Sequence, residues 1–213
     1  MPEPSWPTKC DAAGRLSGPA RRVHLAVLAA FVATGRPPPP VELDRLARLQ
    51  VADPPAVRAE LADADVIAFA ADGEIRAAYP FSPAPGPIGV TWPGGPRAHA
   101  MCAVDALGLS AMLGLPVTIT AAEPDSGRVI TVVVDNDRAR WRPRTAVVFA
   151  GSAGDTGCAS ADRSCGYISF FRTAWAARAW ARRHPLVTGA VLRQDGALRC
   201  GIAEFGMLMR PGD

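Results

Sequence analysis

Val66-Ile67-Ala68-Phe69-Ala70-Ala71-Asp72-Gly73-Glu74-Ile75-Arg76-Ala77-Ala78-Tyr79 is the stretch that decides the fold of the first half of the chain. Two apolar runs, 66–70 and 74–79, flank an Asp-Gly step, and glycine there supplies the positive φ that a tight hairpin turn needs. Upstream, Val23, Val27, Ala30 and Phe31 recur at helical spacing from Ala20 to Thr34, and Gly35 with the prolines at 37–40 stops that helix. Leu43, Leu46 and Leu49 repeat the pattern over 41–49. Asp53 ahead of Pro54 and Pro55 reads as the N-cap of a third helix that ends near Ala64. Three helices followed by a hairpin predict an N-terminal winged-helix-like module over 19–80. The first 18 residues, with Pro2, Pro4, Pro7 and two glycines, read as a loose arm that leaves Cys10 exposed.

Downstream, the Pro- and Gly-rich segment 80–96 reads as the join to a second domain, 81–213. There, 100–113 is expected to be a helix. The segments 117–120, 128–134, 146–150 and 167–171 read as strands, the second of them dense in β-branched residues. A helix from Thr173 to about His184 precedes a closing pair of strands at 187–192 and 198–200. The fold class is α+β, with a second domain of mixed α/β character and mainly antiparallel strands.

With 213 residues, 49% hydrophobic and 20% charged, the chain can build one substantial core or two small ones. The net charge of +3 is spread without a basic block, and Lys9 is the only lysine, so no nucleic-acid partner is expected. The longest apolar run, 24–34, falls short of the roughly 18 residues needed to span a bilayer. Arg21 and Arg22 precede it, but a secretory signal would carry an unusually long, proline-containing leader, and a core helix is the reading taken. Five cysteines, at 10, 102, 158, 165 and 200, are an odd set with no Cys-x-x-Cys pair. That argues against a disulfide scaffold, a zinc ribbon and a thioredoxin-like dithiol, and for a cytoplasmic setting.

Cys102 and Asp105 stand three apart, on one face if their segment is helical. Cys165 precedes a predicted strand beside Gly166, where the backbone can approach a ligand. Spacing alone does not decide between a site and buried structural cysteines. The wider context does. The run Cys102-Ala103-Val104-Asp105-Ala106-Leu107, then Ser164-Cys165-Gly166-Tyr167-Ile168-Ser169-Phe170-Phe171, then 174–184 with Trp175, Trp180 and His184, resembles the alkylmercury lyase family. The resemblance covers about half of the chain, residues 97–205, and the family also carries a winged-helix module ahead of it. It implies that Cys102, Asp105 and Cys165 form the catalytic set and hold the substrate or product mercury. Some members have a second cysteine where Gly166 stands, and a structural cysteine in the stretch matching 118–127, where this chain has none. Neither departure removes a catalytic position.

The residue types fit that chemistry. Mercury is a soft ion, for which thiolates are the preferred ligands. One thiolate binds RHg⁺; a second raises the electron density on carbon until a carboxylic acid can protonate it, releasing RH and leaving Hg(II) on two sulfurs. Asp105 then needs a raised pKa, to act first as base and then as acid. No added cofactor is needed. The resemblance implies an organomercurial substrate, low-molecular-weight thiols to release the product, and transfer of Hg(II) to a mercuric reductase.

Two rivals carry the thiols differently. A winged-helix metal-responsive regulator would enter DNA with its third helix, yet that helix offers only Arg58 against Glu60, Asp63 and Asp65. A non-catalytic metal carrier leaves Asp105 without a role. Cys158 is a candidate third ligand or metal-ferrying thiol, Cys200 is expected to be structural in a strand, and Cys10 incidental. His99 reads as a surface histidine and His184 as a helix C-terminal one favoured by the helix dipole. Trp92, Trp175, Trp180, Phe170 and Phe171 read as packing residues rather than a pocket for the organic group.

Overall fold

In the computed structural model, residues 8–153 and 159–209 are described. Helix α1 (Lys9–Gly14) is followed by α2 (Gly18–Thr34), α3 (Pro40–Leu49) and α4 (Pro54–Asp63). The C-terminal end of α2 and both ends of α4 form where the sequence predicts, whereas α2 starts two residues before the expected Ala20, at Gly18. Ser17 accepts the Ala20 N–H and Asp53 accepts the Ala56 N–H, while Gly35 closes α2 at a φ of 73°. The hairpin follows as β1 (Ile67–Phe69) and β2 (Ile75–Ala78), antiparallel around Gly73 at a φ of 85°.

Three expectations need correction. From Thr8 on, the first 18 residues are not a loose arm. Thr8 and Asp11 form a reciprocal capping box, and Ala12, Ala13 and Leu16 are buried in the main core. The segment 80–96 is not a linker, for it contains β3 (Phe81–Ser82) and β4 (Ile88–Thr91). With β5 (Ala98–Ala100), β6 (Val117–Ala122), β7 (Val129–Asp135) and β8 (Arg138–Arg142), these complete one eight-stranded sheet in the order β1-β2-β3-β5-β4-β6-β7-β8. Its paired strands are all antiparallel, and one core cluster runs beneath both halves. Finally, Leu198–Cys200 is not a strand but part of α8 (Gln194–Phe205).

A second, three-stranded sheet has β9 (Val147–Ser152) between β10 (Ile168–Phe171) and β11 (Thr188–Leu192), again antiparallel. Helix α7 (Ala174–Arg183), capped by Thr173, seals a small cluster on it made by Val147, Phe149, Phe171, Ala177 and Trp180. The centre of the molecule is α5 (Ala103–Leu113), which touches β4 to β7 of the large sheet, β9 and β10 of the small one, and α8 alongside. Ten of its 11 residues are buried, as an all-round apolar helix requires. Gly108 and Gly201 let α5 and α8 meet backbone to backbone: a Cβ on Gly108 would lie 2.3 Å from the Gly201 carbonyl oxygen. Among the described residues no helix is long and apolar enough to cross a membrane.

Candidate functional site

The helix expected from residue 100 starts later, because β5 continues to Ala100 and Met101 donates its N–H to the Pro80 carbonyl at 3.1 Å. Cys102 is therefore the N-cap of α5 in extended backbone, and its Sγ accepts the Asp105 N–H at 3.4 Å. That cap turns the thiol back over the first turn, towards the Asp105 carboxylate. Cys165 arrives from the other side. A short helix, α6 (Ser160–Arg163), leads through Ser164 into a 3-10 turn, Cys165–Tyr167, just ahead of β10. Its Sγ lies 4.0 Å from Asp105 Oδ2, in the direction of a thiol donating to a carboxylate. One ligand atom from each of Cys102, Asp105 and Cys165 lies within 4.8 Å of the others, and all three residues are buried.

Burial sets the electrostatics. It pushes the Asp105 carboxyl up to about 7, more than the hydrogen bond from Cys102 and the charge of Lys9 pull it down, and the Glu204 charge adds to the rise. The Cys102 thiol is pushed well above its ordinary range by burial, then by its hydrogen bond with Cys165 and the Asp105 charge. At neutral pH the carboxyl can therefore hold or release a proton beside two sulfurs.

The segment that leads into Cys165 is bonded to residues distant in sequence. Asp65, at a φ of 51°, turns its carboxylate towards α6 and accepts the Ser160 N–H at 3.1 Å, the Ser160 hydroxyl, the Tyr79 hydroxyl at 3.3 Å and the Lys9 ammonium at 2.7 Å. The Tyr79 hydroxyl accepts the Ala161 N–H at 2.7 Å. Lys9 Nζ also donates to the Asp65 carbonyl and the Ser160 hydroxyl, using all three of its donors, and stands 4.1 Å from the centre of the Tyr79 ring. Burial alone would raise the Asp65 pKa, but Lys9 and Ser160 outweigh it and hold the carboxyl below its usual value. The sole lysine was the available signal, but nothing near it in sequence pointed to these partners.

Among the described residues, no other cysteine or histidine joins the group of Cys102, Asp105 and Cys165. Cys158 falls outside the described residues. Cys10 is half-buried on α1 rather than exposed, and Cys200 is half-buried on α8; burial raises the pKa of both thiols. His99 accepts the Gly86 N–H and His184 stacks on Trp180. Trp92 and Trp180 are buried packing residues, as are Phe170 and Phe171, whereas Trp175 is 74% exposed. A Cβ on Gly166 would meet nothing within 4 Å.

Two buried thiols facing one carboxyl, in an antiparallel α+β frame, make a donor set suited to a soft metal. The sequence model of the alkylmercury lyases matches residues 81–206, and the chain belongs to that family, whose members are carbon-mercury bond lyases acting on organomercurials. No functionally curated protein matches the sequence significantly. Among solved structures the chain is similar to the mercury-bound form of MerB2, with a TM-score of 0.71 over 95% of this chain and 97% of that one, at 22% identity. That likeness is one of fold.

Proposed function

We propose that in this lyase Cys102 and Cys165 bind the mercury of RHg⁺ together and that Asp105 relays the proton that breaks the carbon-mercury bond. The carrying observation is the meeting of two thiols and a carboxyl with a pKa near 7 within 4.8 Å, away from water. One thiol binds RHg⁺ as its thiolate and loses its proton to solvent. The ionised Asp105 takes the proton of the second thiol, and the freed thiolate joins the same mercury. The carbon-mercury electron pair then collects the proton from Asp105, so that RH leaves, the carboxylate returns and Hg(II) remains on two sulfurs. Overall, RHg⁺ and two thiols give RH, a dithiolate Hg(II) complex and one released proton. The low dielectric around the trio strengthens each of these electrostatic steps.

The reading extends to organisation and setting. The order α2–α3–α4 then β1–β2 supports a winged-helix-like module over 19–80 ahead of a catalytic domain over 81–213. Arg58, the one base on α4, is engaged by Asp44 and the Pro40 carbonyl, which supports a role without nucleic acid. The enzyme works in the cytoplasm with no added cofactor, and low-molecular-weight thiols carry Hg(II) from the buried dithiolate towards a mercuric reductase.

The reduced protein should be incubated with methylmercury or phenylmercury and excess thiol, following methane or benzene together with inorganic Hg(II). Hydrocarbon release that disappears in Cys165→Ser is the expected result. Tight mercury binding by the parent with no hydrocarbon would leave a sensor or carrier.

A further inference from the structure

Helix α6 is a single turn of four residues, too short to persist by itself, and its N-cap Ala159 provides no side-chain acceptor. Its leading N–H groups are satisfied from far away in sequence. Asp65 takes that of Ser160 and Tyr79 that of Ala161, and the Tyr79 hydroxyl donates in turn to Asp65. Tyr79 is 1% exposed, so its hydroxyl is shielded from competing water, while the Asp65 side chain is 29% exposed. From this clamp the chain runs directly into the turn bearing Cys165, through the Ser164 N–H on the Ser160 carbonyl and the Tyr167 N–H on the Ser164 carbonyl. We infer that Asp65 and Tyr79 are positioning residues of the reaction: by capping α6 they hold Cys165 Sγ against Asp105 and Cys102, and so license the two-sulfur step.

The inference rests on the two-thiolate reading above and separates its two stages. Capture of RHg⁺ needs one sulfur wherever it stands. Cleavage needs both sulfurs on one mercury beside Asp105, a geometric demand that a displacement of about 1 Å defeats. Loosening the clamp should therefore spare capture and slow cleavage. Lys9 reinforces the clamp from α1 by neutralising the Asp65 charge.

The test uses the full chain carrying Asp65→Ala, Asp65→Asn or Tyr79→Phe. Three readouts are taken: kcat and KM for hydrocarbon release from methylmercury, the number of sulfur ligands in the stoichiometric Hg(II) complex by X-ray absorption, and the thermal midpoint. Tyr79→Phe and Asp65→Ala should lower kcat by on the order of ten- to a hundredfold. KM should stay within about twofold of the parent, and the sulfur count should fall from two towards one. Asp65→Asn keeps an oxygen for the Ser160 N–H but loses the charge for Lys9, and should fall between. Parent-like kcat with two sulfurs in every variant overturns the inference. So does a loss confined to the thermal midpoint. If Asp65→Ala does not fold, Tyr79→Phe, which removes one oxygen from a retained ring, decides alone. If the parent itself releases no hydrocarbon, the lyase roles fall, and two-sulfur coordination unchanged across the variants would still overturn the clamp.

Discussion

Cys102 and Cys165 reach the same carboxylate from regions built on opposite principles. Cys102 caps a helix enclosed by two sheets and α8, where apolar burial and a glycine crossing leave no freedom to shift. Cys165 rides on a turn whose place is fixed by polar bonds to the other half of the chain, centred on Asp65 and Tyr79. Close packing resists displacement collectively, whereas a hydrogen-bonded clamp has a few identifiable points of failure. The difference makes the place of one sulfur a matter of collective packing and that of the other a matter of a few named hydrogen bonds.

The comparison can be broken at the carboxyl the two regions share. Asp105→Asn should leave mercury bound while slowing hydrocarbon release by about a hundredfold or more, the range of a lost general acid; normal turnover would remove Asp105 from the reaction. The same variant has a stability signature. With its pKa raised from 3.8 to about 7, native Asp105 binds more proton than the unfolded chain between those values, so it makes the protein less stable as pH rises through that window. Denaturant titrations should show the Asn variant gaining on the parent from about pH 4 to about 7 and level thereafter.

Packing on the Cys102 side is tested next. Gly108→Ala forces a methyl into the Gly201 backbone and the Phe205 ring, and should cost roughly 1–3 kcal/mol in urea unfolding, as overpacking does. The surviving folded protein should keep the parent's ratio of cleavage to capture, a result opposite to that for the clamp. The smallest effect is expected at Arg76→Ala. Its pair with Asp162 also ties α6 to the first half, but both side chains are nearly half exposed, so the loss should stay under about 1 kcal/mol and shrink with added salt.

How much could be read from the sequence follows the same division. Elements with local chemistry were legible: the Asp-Gly hairpin, the Asp53 cap, the Gly35 stop and the β-branched run of β7. Strand β8 went unread because Arg138, Arg140 and Arg142 alternate with only Ala139 and Trp141, a pattern that carries little apolar signal. The last helix reads as a strand at 198–200 because Leu198 and Cys200 alternate with Arg199 over too few residues to distinguish the two periods. The join at 80–96 looked like a linker because its prolines and glycines also serve short strands of a continuous sheet. For the candidate site, family resemblance singles out the three residues that the structure brings together, since they sit in short recognisable runs. Asp65, Tyr79 and Lys9 were invisible because their meaning exists only across separations such as the 95 residues between Asp65 and Ser160.

The placement of Lys9 has a practical side. It is the sole lysine of the chain, its side chain is only 15% exposed, and its ammonium is held by Asp65 and Ser160. Amine-reactive dyes, crosslinkers and sensor surfaces thus find a single side-chain target, and it braces the loop that carries Cys165. Immobilisation chemistry for this protein is better directed at carboxylates or at an added tag, and partial inactivation by an acylating reagent would report directly on the state of that brace.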